Sequence, residues 1–173
     1  FSYVNLNSDS GLNASFIYKI FIDSEDVVWI ATDGNGVLKI ENGSMVSMME
    51  EGQLLSRTVY CFAEDRNDNL WIGTAEDGLC MYDGKEVISY DQSDGLSSNA
   101  IIGVEIDREG RVMAIHSTGV DLLDPNSNLV VRLGNRDVLK DLSPSLNSSY
   151  RVSYNKIWVG GDNTLVQYKP LPS

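Results

Sequence analysis

Positive charge is scarce in this sequence. There are 13 lysines and arginines against 25 aspartates and glutamates, which gives a net charge of −12 at pH 7. A chain of this charge repels the phosphates of nucleic acids and the surfaces of anionic membranes. We therefore expect no nucleic acid among its partners.

Cysteine and histidine, the usual zinc ligands, are also few. The chain has two cysteines, Cys61 and Cys80, and one histidine, His116. It has no Cys-x-x-Cys pair and no Cys/His cluster, so we predict neither a metal site nor a disulfide framework, and no cofactor. In the repeat described below the two cysteines fall in a first and a third strand, so we expect two free, buried thiols.

Long apolar runs are missing. No run approaches the roughly 20 residues that cross a bilayer, and no signal peptide is visible. The first residue is Phe1 and not Met, so we expect an excised piece whose targeting signal has been removed. At 173 residues and 42% hydrophobic content, the chain is long enough for one domain with a sizeable core.

One short apolar motif recurs along the chain at a nearly fixed interval. Trp29 and Trp71 are 42 residues apart, Met113 occupies the equivalent place 42 residues further on, and Trp158 follows after 45 more. Such a period is typical of a propeller blade or a solenoid turn. An indole cannot be buried on an isolated hairpin, so these four residues are predicted to form the core between repeats.

Turn residues divide each repeat into four strands, which we label a to d. In the first unit, strand a at 16–22 is followed by the Trp29 strand b, by strand c at 37–40 and by strand d at 45–49. Asn42-Gly43 joins c to d, and Asn-Gly favours a type I′ hairpin. The strands are apolar on both faces and no segment has a helical period, which predicts an all-β chain of four-stranded antiparallel meanders.

The repeat also sets the boundaries of the units. We assign residues 11–51, 52–94 and 95–135 to blades 1 to 3, and 136–173 to an incomplete blade 4. Residues 1–10 are interpreted as the outer strand of a blade whose other strands are missing.

The last two units depart from the pattern. In the third unit the Trp is replaced by Met113 and the b–c turn is one residue shorter. In the fourth, a polar link at 133–149 is predicted to precede strand a at 150–152, and strand c is predicted at 165–168.

These motifs resemble the two-component regulator propeller repeat. The second unit carries most of the likeness, with Asp-x-x-Asp-Asn-Leu-Trp-Ile-Gly-Thr at 65–74, Gly-Leu at 78–79 and Tyr-Asp-Gly at 82–84. The third unit contributes Gly-Leu-Ser-Ser-Asn at 95–99, and the fourth keeps mainly Trp158. WD-repeat and kelch-like propellers share the same general logic.

The resemblance implies a fragment of about four blades from a larger β-propeller. Such propellers form the periplasmic sensor part of hybrid two-component histidine kinases of the Bacteroidetes type, which respond to glycan fragments. It implies an oligosaccharide ligand and the rest of the sensor chain as partners, and it places kinase activity outside this piece. Two alternatives stay open, namely a polysaccharide-active enzyme piece and a protein-interaction scaffold.

Asp65, Asn67 and Asn69 place oxygen atoms at alternate positions, as a calcium loop does. The pattern lacks the central glycine and the distal glutamate of an EF-hand, so we favour an Asx turn between strands a and b. We interpret residues 124–128 in the same way.

His116 is followed by Ser117 and Asp121, which raises the possibility of a Ser-His-Asp triad. No nucleophile elbow accompanies them. We interpret His116 as a strand-end residue that replaces Thr32 and Thr74 of the earlier units, and we predict no catalytic residue.

A ligand site is predicted at one end of the blades. In a four-stranded meander the d–a and b–c connections share one end, and short polar and acidic side chains there suit sugar hydroxyls, although any loop carries such residues. The candidate ligand-binding residues at this end are Asn13, Asp33, Asn35, Glu76, Asp77, Asn99, His116, Asp162 and Asn163.

The chain ends suggest how the propeller closes. The strand predicted within residues 1–10 lacks a blade, and strand c of the fourth unit lacks an outer neighbour, which leaves unpaired backbone groups. Pairing the two within one chain gives a four-bladed ring, and pairing them between two chains gives an eight-bladed homo-oligomer.

Overall fold

The computed structural model describes residues 6, 11–49, 54, 56–133 and 142–170. These residues form four antiparallel sheets, three with four strands and one with three, and in each sheet the strands follow one another in chain order. The predicted class, an all-β propeller fragment with antiparallel meander blades, is confirmed. In the described part of the chain there is no α-helix, and one 3₁₀ turn occupies Gln92–Asp94.

The first two blades have similar strands. Blade 1 consists of β1 (Phe16–Ile22), β2 (Val28–Asp33), β3 (Val37–Glu41) and β4 (Ser44–Ser47). Blade 2 consists of β5 (Val59–Glu64), β6 (Leu70–Thr74), β7 (Leu79–Tyr82) and β8 (Val87–Tyr90).

The last two blades differ in their strand number. Blade 3 consists of β9 (Gly103–Ile106), β10 (Val112–His116), β11 (Gly119–Asp124) and β12 (Leu129–Leu133). The described part of blade 4 consists of β13 (Pro144–Ser153), β14 (Lys156–Gly161) and β15 (Leu165–Tyr168). The outer strand predicted within residues 1–10 lies outside the described residues apart from Leu6, so ring closure stays a prediction.

The core lies between the blades, because each sheet is apolar on both faces. Every residue of β6 and of β10 is buried. Trp29 packs in a cluster shared by blades 1 and 2, Trp71 in a cluster shared by blades 2 and 3, and Met113 in one shared by blades 3 and 4. Trp158 is only partly buried, since it lies on the face of blade 4 that points away from blade 3.

The predicted polar link at 133–149 is wrong in its last part, because β13 begins at Pro144. The strand contains a bulge in which Asn147 adopts a positive φ of 53°, a conformation that asparagine tolerates. The Asn147 amide Nδ2 donates hydrogen bonds to the carbonyls of Tyr18 at 3.2 Å and Tyr60 at 3.0 Å. These long-range contacts join blade 4 to the first strands of blades 1 and 2, and no local sequence pattern predicts them.

The two cysteines are buried and free, as predicted. Cys61 lies on β5 and Cys80 on β7, with β6 between them. Burial raises the pKa of both thiols, so neither is poised to react as a thiolate. Within the described residues, no helix is long and apolar enough to cross a membrane.

Candidate functional site

In blades 1 to 3 the turn between strands a and b contains an aspartate whose oxygens accept hydrogen bonds within the turn. Asp65 Oδ1 accepts hydrogen bonds from the backbone N–H groups of Asn67 at 2.8 Å and Asn69 at 3.1 Å. Its Oδ2 accepts a bond from the Trp71 indole Nε1 at 2.9 Å. The Asx-turn interpretation is therefore confirmed, and the same carboxylate also orients the core indole.

Blade 1 repeats this arrangement, and the bond from indole to carboxylate was not among the predictions for either blade. In blade 1, Asp23 accepts from the Trp29 Nε1 at 2.7 Å. The signal that could have revealed it is the spacing, since the aspartate precedes the tryptophan by six residues in both units. A buried indole N–H needs an acceptor, and this aspartate supplies it in both blades.

Blade 3 keeps the aspartate although it has lost the indole. Asp107 is fully buried, and the side chain of Met113 has no N–H group that could donate to it. Instead the Arg111 Nε donates to Asp107 Oδ2 at 2.9 Å, and the Tyr168 hydroxyl donates to the same oxygen at 3.1 Å. Burial, followed by the neighbouring Asp107 carboxylate, raises the pKa of Tyr168, so the tyrosine remains a donor and links blade 4 to blade 3.

The turns between strands b and c, at the end where the ligand site is predicted, have their own internal support. The Thr74 hydroxyl is buried, donates to the Gly78 carbonyl at 2.8 Å and accepts from the Asp77 N–H at 2.9 Å. Thr32 makes the same pair of bonds with Gly36 at 2.9 Å and Asn35 at 3.2 Å. The repeated threonine is thus a structural residue that holds the turn.

Thr74→Val is expected to lower the free energy of unfolding by about 1–3 kcal/mol. The change keeps the volume but leaves the Asp77 N–H without its partner, and the buried Gly78 carbonyl keeps only the bond from the backbone N–H of residue 74. Urea unfolding measures the loss. Thr74→Ser is the control, since it keeps the hydroxyl and should retain most of the stability. Equal losses in the two variants would contradict this role of the hydroxyl.

The b–c turns of blades 1 and 2 contact the d–a connections that lead into the following blades. The predicted site residues of two neighbouring blades are therefore brought together at this end. The N–H groups of Gly34 and Gly36 donate to the Arg57 carbonyl at 2.9 and 2.8 Å, and the Gly78 N–H donates to the Asn99 carbonyl at 2.9 Å. Ala and other residues fit poorly at Gly36 and Gly78, which both have positive φ and lie against a backbone carbonyl of the adjoining segment.

The predicted site residues differ in how accessible they are. Those with exposed side chains are Asn13, Glu76, Asp77, Asp162 and Asn163. Those that are partly buried are Asp33, whose Oδ1 accepts from the Thr58 hydroxyl at 2.9 Å, Asn99, whose Oδ1 accepts from the Gln92 N–H at 2.9 Å, and Asn35. The exposed members are therefore the ones that a ligand can reach.

His116, by contrast, is fully buried in a hydrogen-bonded group within blade 3. Its Nδ1 shares a hydrogen bond with the Thr118 hydroxyl at 3.0 Å, and its Nε2 lies 3.5 Å from Asp121 Oδ2. The Asp121 carboxylate also accepts from the Ser97 N–H at 2.6 Å and the Ser97 hydroxyl at 2.8 Å. Burial raises the pKa of Asp121, but the bonds from His116 and Ser97 outweigh burial and leave the pKa below its usual range.

This group holds the turn together and is poorly arranged for catalysis. Ser97 bonds to the carboxylate and not to the imidazole, so it is not in the position of a triad nucleophile. Thr118 does contact the imidazole, across the two-residue turn that follows His116. The buried ring therefore supports its b–c turn, as Thr32 and Thr74 support theirs, and the Asp121 carboxylate joins the Ser97 connection to β11.

A cleft of about 330 Å³ lies at the opposite end of the blades, between blades 1 and 2. Its wall includes Asp23, Glu41, Glu64 and Asp68, beside the edge of Trp29. Glu64 already accepts bonds from the N–H and the hydroxyl of Ser24 in the adjacent turn. These bonds join blades 1 and 2. No ligand site was predicted at this end of the blades.

The comparisons with known proteins agree with the repeat assignment. The family model described as "Two component regulator propeller" matches residues 11–34 and 53–76, which confirms the resemblance over these two segments. No curated protein sequence is significantly similar to the chain.

Several solved structures share the fold. The extracellular domain of a B. thetaiotaomicron protein described as a hybrid two component system has a TM-score of 0.74 and 17% identity, over 96% of this chain and 25% of that one. The extracellular domain of another, described as a one component system, has a TM-score of 0.69 and 22% identity over 91% and 25%. This chain thus spans about a quarter of the length of these two extracellular domains.

A streptogramin B lyase is also similar, with a TM-score of 0.64 and 16% identity over 93% of this chain and 56% of that one. Identities this low show the propeller fold alone. The similarity to the lyase therefore assigns no catalytic activity to this chain.

Proposed function

We propose that this chain is part of the extracytoplasmic propeller of a two-component sensor and that it takes part in sensing an oligosaccharide. The main support for the proposal is the match of residues 11–34 and 53–76 to the regulator propeller repeat. These two segments contain strands a and b of blades 1 and 2. The fold shared with two bacterial extracellular domains supports the location, which for this chain would be the periplasm. Kinase output would come from other parts of the sensor.

The ligand would lie on the b–c turn end of the blades. There Glu76 and Asp77 of blade 2 and Asp162 and Asn163 of blade 4 have exposed side chains on turns whose backbones are fixed by internal hydrogen bonds. Carboxylates and amides on rigid turns can accept hydrogen bonds from vicinal hydroxyl groups, and amides can also donate to them. Because the turns are already rigid, this binding costs little conformational entropy.

The enzyme alternative has less support. Its best candidate base, His116, is 0% exposed, and the imidazole is engaged by Thr118 and Asp121. A substrate could not contact the ring unless the turn opened. A binding role asks for no such opening.

The test is a glycan-array screen of the intact chain, followed by calorimetry with the best oligosaccharide. We expect the double variant Glu76→Gln, Asp77→Asn to weaken binding about tenfold or more. The matched control is Glu86→Gln, an exposed acid on the c–d hairpin at the other end of the same blade, which should bind as the wild type does. Binding that ignores the double variant, or is lost equally in Glu86→Gln, would contradict the location.

The same oligosaccharides and their parent polysaccharides provide a test of catalysis. We expect no release of reducing or unsaturated ends over long incubation. Turnover that disappears in His116→Ala while the variant stays folded would establish an enzyme and overturn the proposed role.

A further inference from the structure

Two arginines lie over one tyrosine at the a–b turn end of the blades. The guanidinium carbon of Arg66 is 4.3 Å from the centre of the Tyr154 ring, and that of Arg151 is 4.4 Å from it. Both distances are within the range of a cation–π contact. Arg66 belongs to the a–b turn of blade 2 and Tyr154 to the a–b turn of blade 4, so the group joins two blades that do not follow one another in the chain.

The surrounding structure holds the three side chains in place. Tyr154 is partly buried and packs against the core cluster shared by blades 2 and 3. Arg151 Nη1 donates to the Ile106 carbonyl, at the end of β9, at 3.4 Å. The turn that carries Arg66 is fixed by the hydrogen bonds that Asp65 accepts. A ligand would therefore meet two cations whose backbones are already ordered, which lowers the entropic cost of binding.

Neither arginine has the carboxylate partner that an acidic chain would be expected to offer. Acids outnumber bases by 25 to 13, yet the salt bridges of the described residues involve Arg111 and His116. Acids at the same end of the blades are bonded elsewhere, since Glu64 accepts from Ser24 and Asp107 accepts from Arg111. The two cations over the tyrosine ring are therefore left to a partner of another kind.

Glu105 is the acid whose charge acts on Arg151. Burial raises the pKa of Glu105, and the hydrogen bond with Ser149 and the charges of Arg151 and Lys19 oppose that rise. One partly buried carboxylate thus faces two cations, Arg151 and Lys19. It leaves positive charge beside the tyrosine ring, where Arg66 adds to it.

We propose that Arg66 and Arg151 bind a small tetrahedral dianion such as phosphate, either as a free ion or as the phosphate group of a larger ligand. A guanidinium fork matches two phosphate oxygens at once. The ring face attracts each cation but is a poor acceptor, so most of the five N–H donors of each guanidinium remain for an anion. Two negative charges also match two cations, which a single carboxylate does not.

The net charge of −12 is compatible with such a site. It opposes long polyanions, which extend across the whole surface of the protein. A small anion instead interacts mainly with charges within about 8–10 Å, because salt screens the more distant ones. The site also lies at the opposite end of the blades from Glu76 and Asp77, so it is separate from the proposed oligosaccharide site.

Binding is measured by NMR titration of the intact chain with inorganic phosphate, while sodium chloride is adjusted to keep the ionic strength constant. We expect the Nε–H signals of Arg66 and Arg151 to shift together and to saturate at one phosphate per chain. Acetate at the same ionic strength should bind about tenfold more weakly or less, because it carries a single charge.

Variants locate the site. Arg66→Gln should weaken phosphate binding about tenfold or more, because it removes one of the two cations. Arg108→Gln is the matched control, since Arg108 occupies the equivalent place in the a–b turn of blade 3, is exposed, and contacts no aromatic ring among the described residues. It changes the net charge equally and should bind phosphate as the wild type does. Both side chains are exposed, so both variants should fold, and circular dichroism verifies that they do.

Glucose 6-phosphate identifies the source of the anion, because its phosphate is a dianion above its second pKa of about 6. Tighter binding than that of inorganic phosphate, lost in Arg66→Gln, assigns the phosphate group to a larger ligand. Equal binding assigns the site to the free ion, and either result supports the site.

Two results would overturn the proposal. One is a titration in which phosphate causes no saturable shift of the Arg66 signal. The other is an equal loss of affinity in Arg66→Gln and Arg108→Gln, which would mean that the anion responds only to the overall charge. The double variant Glu76→Gln, Asp77→Asn should bind phosphate as the wild type does, so failure at one end of the blades is distinguished from failure at the other.

Discussion

Trp71→Ala is expected to lower the free energy of unfolding by about 3–5 kcal/mol, the usual cost of truncating a large core side chain. Trp71 is 0% exposed between blades 2 and 3, and its ring stacks on Tyr90 with the centroids 5.8 Å apart. The change removes this contact, leaves a cavity, and deprives Asp65 Oδ2 of the indole donor. Urea unfolding followed by circular dichroism measures the loss.

Trp158→Ala is the matched control. Trp158 occupies the same place in β14 but is only partly buried in the described structure, so its loss should cost clearly less than that of Trp71. A cost below roughly 1 kcal/mol for Trp71→Ala, as is usual at surface sites, would place the ring outside the core. Trp71→Phe divides the effect, because it keeps an aromatic ring in the core but removes the indole donor to Asp65 together with part of the ring volume.

Most of the strand order was predictable from the sequence, because two signals coincide in each repeat. The apolar strands have the right length and are separated by turns with Asn-Gly or Asp-Gly, as at Asn42-Gly43 and Asp83-Gly84. Several residues with positive φ fall at such turns, among them Asn42, Gly43 and Gly84. Local preference and hydrophobic pattern therefore agree, and the agreement was strongest in the second unit.

The start of β13 was not predictable for the opposite reason. Residues 144–149 are polar and include a proline, which locally favours a loop. They form a strand because Pro144 pairs opposite Gly161 and Asn147 bonds to distant carbonyls of β1 and β5. Tertiary contacts override the local preference here, and single-sequence patterns carry no information on them.

The candidate site was partly predictable. Connection order placed the b–c turns and d–a connections together, and bonds such as that from Gly78 to Asn99 do join them. The burial of individual side chains could not be predicted, since nothing in the sequence shows that His116 is enclosed while Glu76 is exposed. The cleft between blades 1 and 2 depends on the packing of neighbouring blades, so it could not be predicted from the order of the strands.

Asp121→Ala is expected to cost about 3–5 kcal/mol at neutral pH, because it removes a buried carboxylate from a network of charged and polar groups. This carboxylate accepts hydrogen bonds from the Ser97 N–H and the Ser97 hydroxyl and lies 3.5 Å from the buried His116 Nε2. Asp124→Ala is the control on the same strand, β11. Asp124 is partly exposed and accepts bonds only within its own turn among the described contacts, so its loss should cost about 1 kcal/mol.

The cost of Asp121→Ala should also depend on pH, in a direction that follows from the lowered pKa of Asp121. An aspartate whose pKa is lower in the folded state stabilises the fold at every pH above its unfolded value, about 3.9, and loses that contribution as the pH falls towards the folded value. The difference in unfolding free energy between wild type and Asp121→Ala should therefore be constant from pH 6 to about pH 5 and shrink below about pH 4. A difference that does not change down to pH 3 would mean that Ser97 and His116 do not favour the charged carboxylate. The buried group in blade 3 would then hold its turn by packing alone, and the Ser97 connection would owe little to the hydrogen bonds that join it to β11.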